Sequence, residues 1–423
     1  MTKYFTVKTI HYSGLTDQLG TQFSRLYSLG CVCQYEYVYT PFSFPRSHGY
    51  IGKERLIRKS EKLIFSTFPW IYQLWFTRKV MTKILNLLYK FLYANASSKS
   101  NKDEVIANFL GFYNFENQIN DDKFKDYKLI TIDLHQILES SSITNILHLK
   151  HIIEDMSSYP YLIYEFVCTD KMHPFLDRID FLLKKSELEI FEFSSHKLSE
   201  NYWKARKEKQ IVSGFTTVSD EKIHLVAHIR LGDSISIHLP QKTLYVNGDC
   251  VFNSDNESDV KSIEKIFNVD PNRRAVDIYQ YKNFLVKTFE IWGRENIFCS
   301  IISDGYERTF NVIRNYLKQG KLKLSTTEMR QLQDLEKSLN DDFNDFIRDY
   351  SDTSIVSESL DNLLKSIHYL ASAKVVIWGT GGFAFYTHKL FKKHDNFSMI
   401  FHVKDQSDEI FKEMTNLKFL IHP

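Results

Sequence analysis

Short apolar runs alternate with amphipathic stretches along most of this chain, a pattern typical of strands that alternate with helices. The clearest run is Lys222–Leu231, which predicts a buried strand with polar residues at its end. The other predicted strands are Lys3–Tyr12, Tyr35–Thr40, Lys128–Ile132, Tyr161–Val167, Asn296–Ile302 and Lys374–Trp378. Helices are predicted at about 18–34, 195–210, 276–292, 306–318, 326–348, 359–371 and 382–392. We therefore expect an α/β fold with doubly wound parallel sheets.

The chain is too long for a single hydrophobic core of ordinary size, because it has 423 residues. We predict an N-terminal domain over 1–215 and a C-terminal domain over 216–423, with the two sheets facing a cleft. Residues 52–102 are predicted to form a helical insertion, with eleven Lys or Arg against two acidic residues and many aromatic side chains. Such a segment can contact an anionic membrane peripherally, here through 52–95. The alternative is a helical hairpin that packs on its own domain.

Composition excludes some classes of function. Charged residues are 25% and apolar residues 43% of the chain, as in ordinary globular proteins. A net charge of +2 gives no sign of the concentrated basic face that nucleic-acid binding needs, so we expect no nucleic-acid partner. The five cysteines form no C-x-x-C pair and predict neither a zinc site nor a disulfide framework. With no signal peptide and no long apolar run, we expect a cytoplasmic protein, or one peripheral at the inner face of a membrane.

Three predicted strand ends in the C-terminal half carry polar or Gly-rich sequences: His228-x-Arg230-x-Gly232-Asp233, Ser303-Asp304 and Gly379–Phe383. An arginine fork binds phosphate through paired hydrogen bonds, and a Gly-rich turn that opens a helix presents backbone N–H groups to an anion. Together they predict a diphosphate held from two sides, with Asp304 accepting hydrogen bonds from a ribose or a base. The simpler alternatives are a solvated Arg–Asp pair, a buried histidine with ordinary partners, and a helix N-cap at Asp304.

The turn after the last predicted strand also fits another class of ligand. Gly379-x-Gly381-x-x-Ala384 matches the relaxed dinucleotide fingerprint, and Asp405 follows about twenty residues on. This pattern favours an NAD-type cofactor. However, the fingerprint normally follows the first strand of its domain, and only about forty residues follow it here.

The motif His228-Ile-Arg230-Leu-Gly-Asp233 resembles the H-x-R-x-G-D or H-x-R-x-x-D motif of the α-1,2-, α-1,6- and protein O-fucosyltransferase superfamily. Gly14-Leu-Thr-Asp17-Gln18 is similar to the G-x-x-N-Q turn of these enzymes, with Asp17 in place of Asn. The Gly379–Phe383 turn stands where they have a serine-containing turn, but it lacks the serines. Ser303-Asp304 matches a strand-end Ser/Thr-Asp of the group. The resemblance implies a GT-B fold of two Rossmann-like domains, with GDP-fucose bound mainly by the second.

The resemblance also implies an inverting, metal-independent transfer of fucose from GDP-fucose to a glycan hydroxyl. Arg230 would bind the β-phosphate and stabilise the leaving GDP. Asp233 would orient Arg230 or contact the donor, and His228 would shape the strand end or contact the diphosphate. Asp304 would bind ribose or guanine. The remaining donor-site residues implied are those of the last turn: Gly379, Thr380, Gly381, Gly382 and Phe383.

The acceptor side would include the first turn, at Gly14, Asp17 and Gln18. The candidates for the general base are Asp17 and Glu165. We expect a glycan or lipid-linked glycan acceptor, no cofactor besides the nucleotide-sugar donor, and no metal. The polar segment 234–274 is expected to lie over the cleft, as a lid or a disordered loop. A non-catalytic protein that binds a glycan or nucleotide remains the alternative, because the last turn lacks its serines.

Overall fold

The computed structural model of this protein describes residues 4–11, 19–32, 35–39, 101–112, 128–133, 161–168, 185–208, 221–231, 235–238, 243–246, 249–252, 276–318, 324–356, 359–379, 381–394 and 397–416. The chain divides into two compact units, Met1–Ile211 and Val212–Pro423, and each is described by itself. Both units are α/β and contain a sheet of parallel strands.

The first unit is built on a four-stranded parallel sheet with the order β2-β1-β4-β3. Its strands are β1 (Tyr4–His11), β2 (Tyr35–Tyr39), β3 (Lys128–Asp133) and β4 (Tyr161–Cys168). Its described helices are α1 (Leu19–Val32), α2 (Asn101–Leu110) and α3 (Lys185–Glu208). Parallel neighbours need a crossover connection, and α1 provides it between β1 and β2. Both α1 and α2 contact α3.

The contact between α2 and α3 depends on a glycine and an arginine. A Cβ added at Gly111 would lie 2.5 Å from the carbonyl oxygen of Asn201, and the φ of Gly111 is 73°. The Arg206 guanidinium lies against the rings of both Phe109 and Tyr202, with its central carbon 3.9 and 3.3 Å from the two ring centroids. It also donates hydrogen bonds to the carbonyl oxygens of both residues. Arg206 therefore ties the last turn of α2 to α3, and burial lowers its pKa to about 10.

The second unit contains a five-stranded parallel sheet and a small antiparallel one. Its strands are β5 (Ile223–Ile229), β6 (Ile235–His238), β7 (Thr243–Val246), β8 (Asp249–Phe252), β9 (Ile297–Ser303), β10 (Thr353–Val356), β11 (Val375–Trp378) and β12 (Met399–His402). The parallel sheet has the order β10-β9-β5-β11-β12, whereas β6, β7 and β8 form the antiparallel sheet. Counted among themselves along the chain, the five parallel strands have the order 3-2-1-4-5. That order is compatible with a Rossmann-like fold.

Helices cover both faces of the five-stranded sheet. They are α4 (Ile278–Trp292), α5 (Glu307–Lys318), α6 (Thr326–Tyr350), α7 (Leu360–Ser372), α8 (Gly382–Phe391) and α9 (Asp408–Asn416). One face packs against α4, α5, α6 and α9 through a cluster that includes Leu225, Phe284, Phe310, Phe343 and Met414. The opposite face packs against α7 and α8 through a cluster that includes Val226, Val376, Leu370 and Ala384. Since β5 lies at the centre, all seven of its residues are buried, as expected of a central parallel strand.

Local sequence signals fix several helix starts in the second unit. The first residue before α6, Ser325, forms a capping box with Glu328: its backbone N–H donates to the Glu328 carboxylate at 2.6 Å, and its hydroxyl accepts from the Glu328 N–H. The Asp277 carboxylate accepts from the N–H of Tyr279 and caps α4. Such caps satisfy N–H groups that the first turn leaves without partners. They explain why these helices begin where the sequence predicts.

Some predicted elements differ from those observed. Of the two alternatives for 234–274, a disordered loop was wrong at the residues that form the strands β6, β7 and β8, and no observation tests the lid. The strands β10 and β12 and the helices α2 and α9 were not predicted, and α3 begins at Lys185 rather than Ser195. The predicted insertion lies outside the described residues except for its last two, which begin α2. Among the described helices, none is both long and apolar enough to cross a membrane.

Candidate functional site

The parallel sheet of the second unit changes direction between β5 and β11. From β5 the chain continues to β9 on one side, and from β11 it continues to β12 on the other side. The connections leave the two neighbouring strands on opposite faces, and in α/β sheets this arrangement predicts a crevice outside their carboxyl ends. Arg230 directly follows β5, and Gly379 directly follows β11. Two of the predicted donor-site segments therefore meet where α/β proteins bind their ligands.

The Arg230 side chain lies against the turn that follows β11. A Cβ added at Gly381 would lie 2.5 Å from Nη1 and 3.4 Å from Cδ of Arg230. The φ of Gly381 is 78°, a conformation that residues with a Cβ rarely adopt. Gly381 is the N-cap of α8 and offers the helix no side-chain hydrogen bond. The guanidinium charge and the positive amino end of α8 therefore occur together, which suits an anion.

Two side chains bond to the backbone on either side of Arg230. The Tyr281 hydroxyl, on α4, donates a hydrogen bond of 2.9 Å to the carbonyl oxygen of His228. The Asp304 carboxylate accepts a hydrogen bond of 2.7 Å from the backbone N–H of Leu231. Burial, followed by the nearby Asp304 charge, raises the pKa of Tyr281 far above its ordinary value, so the hydroxyl keeps its proton.

The His228 side chain is 9% exposed and lies beside the first turn of α8. Its ring centroid is 5.7 Å from that of Phe383. Burial and the charge of Arg230 lower the pKa of His228 to about 4, so the imidazole is neutral near pH 7. Its Nδ1 atom is buried and has no hydrogen-bond partner among the described residues. A buried polar atom without a partner is costly, and one beside a cation is a second indication of a polar ligand.

Asp304 and its neighbours occupy the carboxyl end of β9. The Ser303 hydroxyl accepts a hydrogen bond of 3.0 Å from the N–H of Gly305, whose φ is 65°. The helix α5 begins at Glu307, which places its N-cap position at Tyr306 rather than at Asp304. The Asp304 carboxylate instead accepts a hydrogen bond from the backbone N–H of Leu231, a contact that the sequence did not predict.

Several predicted site residues lie outside the described part of the chain. These are Gly14, Asp17, Gln18, Asp233 and Thr380. Glu165 lies in β4, where its backbone is in register with Lys8 of β1 and Thr131 of β3, three residues before the strand ends.

Sequence reasoning missed Tyr281. Its spacing from Phe284 and Leu285 on α4 is that of an ordinary core residue, and all three are buried. The only signal was indirect: a glycine at the end of a strand suggests a close approach by another group. A Cβ at Gly379 would indeed overlap the Tyr281 hydroxyl.

The dinucleotide fingerprint lies on a complete strand–helix–strand unit formed by β11, α8 and β12. Ala384, at its third position, is fully buried, as close helix–strand packing requires. Asp405 follows β12 in a turn in which its N–H donates to the carbonyl oxygen of His402. Unlike the usual fingerprint, this one follows the fourth strand of its sheet. Among the described residues, no group of His, Cys, Asp or Glu has the arrangement of a metal site.

The chain was compared with protein families, curated proteins and solved structures, and none of them matches.

Proposed function

We propose that the second unit binds a nucleoside diphosphate at the crevice between β5 and β11, and that the chain is a GT-B glycosyltransferase. In this proposal it transfers fucose from GDP-fucose to a hydroxyl of a glycan or lipid-linked glycan, with inversion and without a metal. The observation that carries the proposal is the contact of Arg230 with Gly381 at the amino end of α8.

The chemistry of glycosyl transfer suits this arrangement. Breaking the bond between the sugar and the β-phosphate builds negative charge on the leaving diphosphate. A guanidinium and a helix amino end that are already in place stabilise that charge without reorganising during the reaction. Arg230 is the better cation for this task than a lysine, because its fork can bond two phosphate oxygens at once.

The acceptor hydroxyl must lose a proton, so the proposal needs a general base. Asp17 and Glu165 are the candidates retained from the first unit. The support for a GT-B architecture is that each unit contains a parallel sheet with associated helices. The fucose itself is proposed on the resemblance of the His228–Asp233 motif.

A second candidate function is binding of an NAD-type dinucleotide. It is favoured by the β11–α8–β12 unit, in which the glycine turn and the buried Ala384 stand at the fingerprint positions. Both candidates share a diphosphate at the amino end of α8. They differ in what is attached to the diphosphate, which is a nucleoside and a sugar in GDP-fucose and two nucleosides in NAD. Binding measurements with both kinds of ligand therefore distinguish the two candidates.

Isothermal titration calorimetry of the full chain with GDP, GDP-fucose, UDP-sugars and NAD tests the two functions. We expect GDP and GDP-fucose to bind and NAD to give no heat above dilution. Tight NAD binding with no response to GDP would overturn the glycosyltransferase proposal. Release of GDP from GDP-fucose, with or without an added glycan, separates an enzyme from a non-catalytic binding protein.

Replacement of Arg230 tests the role given to its charge. Arg230→Ala should lower turnover by about 10²-fold or more if the guanidinium stabilises the departing diphosphate. Arg314→Ala is the matched control, since this arginine forms an ion pair with Glu336 between α5 and α6. A wild-type rate in Arg230→Ala would remove Arg230 from the mechanism.

A further inference from the structure

The crevice between β5 and β11 begins where the pairing of these two strands ends. The last pair in register is His228 with Trp378. Beyond it, the carbonyl oxygen of His228 accepts its hydrogen bond from the Tyr281 hydroxyl. A buried side chain of α4 thus bonds to the strand end at the point where the neighbouring strand turns away.

The same hydroxyl is in contact with the other side of the crevice. A Cβ at Gly379 would overlap Tyr281 Oη and would lie 3.0 Å from its Cζ. Tyr281 is 1% exposed, so its ring is held by the core and the hydroxyl has little freedom to move aside. The position of Tyr281 therefore sets how the ends of β5 and β11 are arranged.

On the opposite side of Arg230, the Leu231 N–H is bonded to Asp304. The Tyr281 hydroxyl thus bonds to the carbonyl of the peptide group between residues 228 and 229. Asp304 bonds to the N–H of the peptide group between residues 230 and 231. Because both peptide groups are fixed, the Arg230 backbone cannot shift without breaking one of these two hydrogen bonds. A charge acts best on a developing anion when it is held in place beforehand.

We infer that Tyr281 is a positioning residue, which fixes the end of β5 so that Arg230 meets the anion at the amino end of α8. This inference rests on the proposed function for the identity of the anion. The arrangement of the strand end itself can be measured without any ligand.

Tyr281→Phe tests the inference, because it removes only the hydroxyl. Thr288→Val is the matched control: this buried hydroxyl lies on the same helix and donates to the carbonyl oxygen of Phe284 at 2.7 Å, away from the crevice. Two measurements are made on the full chain, the Kd for GDP by calorimetry and amide hydrogen exchange of the 229–231 segment without ligand. Exchange at Val226, in the middle of β5, serves as the internal reference for global opening.

We expect Tyr281→Phe to weaken GDP binding by about 10-fold and to speed exchange at Leu231 by a similar factor, since one net hydrogen bond is lost. Thr288→Val should change neither. Unchanged exchange at Leu231 would overturn the inference. Equal increases at Leu231 and Val226 would also overturn it, because they would indicate that Tyr281 only stabilises the fold as a whole. If the wild-type protein binds no GDP, the proposed function fails, and exchange alone decides whether Tyr281 positions the strand end.

A double-variant cycle with Gly379 gives an independent check. Gly379→Ala alone should weaken GDP binding, because the new methyl group presses on the Tyr281 hydroxyl. Gly379→Ala combined with Tyr281→Phe should bind GDP more tightly than Gly379→Ala alone, since the overlap is relieved. Additive effects in this cycle would contradict direct contact between the two groups.

Discussion

Mild acid should destabilise the second unit, because three of its histidines are buried and neutral. His224, His228 and His388 are 3%, 9% and 1% exposed. Burial is the main cause that lowers the pKa of each to about 4, from an ordinary value of 6.5. His224 is within hydrogen-bond distance of the Ser300 hydroxyl, at 3.0 Å. The Nδ1 atom of His388 lies 2.8 Å from the carbonyl oxygen of Leu370, so it carries the proton and donates.

The sign and size of the effect follow from linkage. A histidine whose pKa is lowered in the folded state stays neutral there, while the unfolded chain takes up a proton as the pH falls below 6.5. The stability contribution is therefore fully present above pH 6.5 and is lost as the pH falls towards 4. At pH 5.5 the loss is about 1.4 kcal/mol for each histidine, or about 4 kcal/mol for the three. For a unit of this size that corresponds to a fall in Tm of about 10 °C.

Differential scanning calorimetry at pH 7.5 and pH 5.5, at constant ionic strength, measures this fall. His388→Asn is the informative variant, because the amide keeps an N–H donor for Leu370 but does not titrate. It should show a pH-dependent fall about one third smaller than that of the wild type. A Tm that is the same at both pH values would refute the reasoning, since three neutral buried histidines require a loss.

Two further predictions concern a glycine of the crevice and the arginine of the first unit. Gly381→Ala should weaken GDP binding about 10-fold, because a Cβ at its φ of 78° would displace Nη1 of Arg230. Gly293→Ala is its control, because Gly293 has a φ of 84°, lies at the carboxyl end of α4 and has Glu295 and Asn296 rather than Arg230 beside its Cβ position. Equal GDP affinity of the two variants by calorimetry would contradict the prediction for Gly381→Ala. Arg206→Lys should lower the urea stability of the first unit by about 2 kcal/mol, because lysine cannot contact both rings and donate to both carbonyl oxygens at once. Arg348→Lys, on the exposed face of α6, should leave urea stability unchanged, and an equal loss in both variants would argue against the stacking.

Periodicity predicted most of the elements and missed several short ones. The β5 strand has seven consecutive buried residues, and the apolar run in its sequence predicts a buried strand directly. The β10 strand has only four residues at the edge of the sheet, and Ile355 alone among them is buried. Its extended backbone is fixed by pairing with β9, which is a tertiary effect that no local pattern carries.

The candidate site was also predicted only in part, because the sequence identifies several of its residues but not their arrangement. His228, Arg230, Asp304 and the Gly379–Phe383 turn stood out because polar residues and glycines follow apolar runs. Their arrangement depends on strand order, which places β11 beside β5 although about 150 residues separate them in sequence. Tyr281 could not be singled out, because its role arises only where the two strand ends diverge.

The glycine at position 381 of the last turn has a physical reason within this chain. The proposed relation to fucosyltransferases would place serines in this turn, whereas the turn here contains Gly379, Gly381 and Gly382. A serine at position 381 would place its Cβ within 2.5 Å of Nη1 of Arg230, in a backbone conformation that only glycine adopts readily. The guanidinium thus occupies the space that a side chain of the turn would need. In the proposed function, Arg230 and the backbone N–H groups of α8 bind the diphosphate, and glycine at position 381 leaves room for the guanidinium.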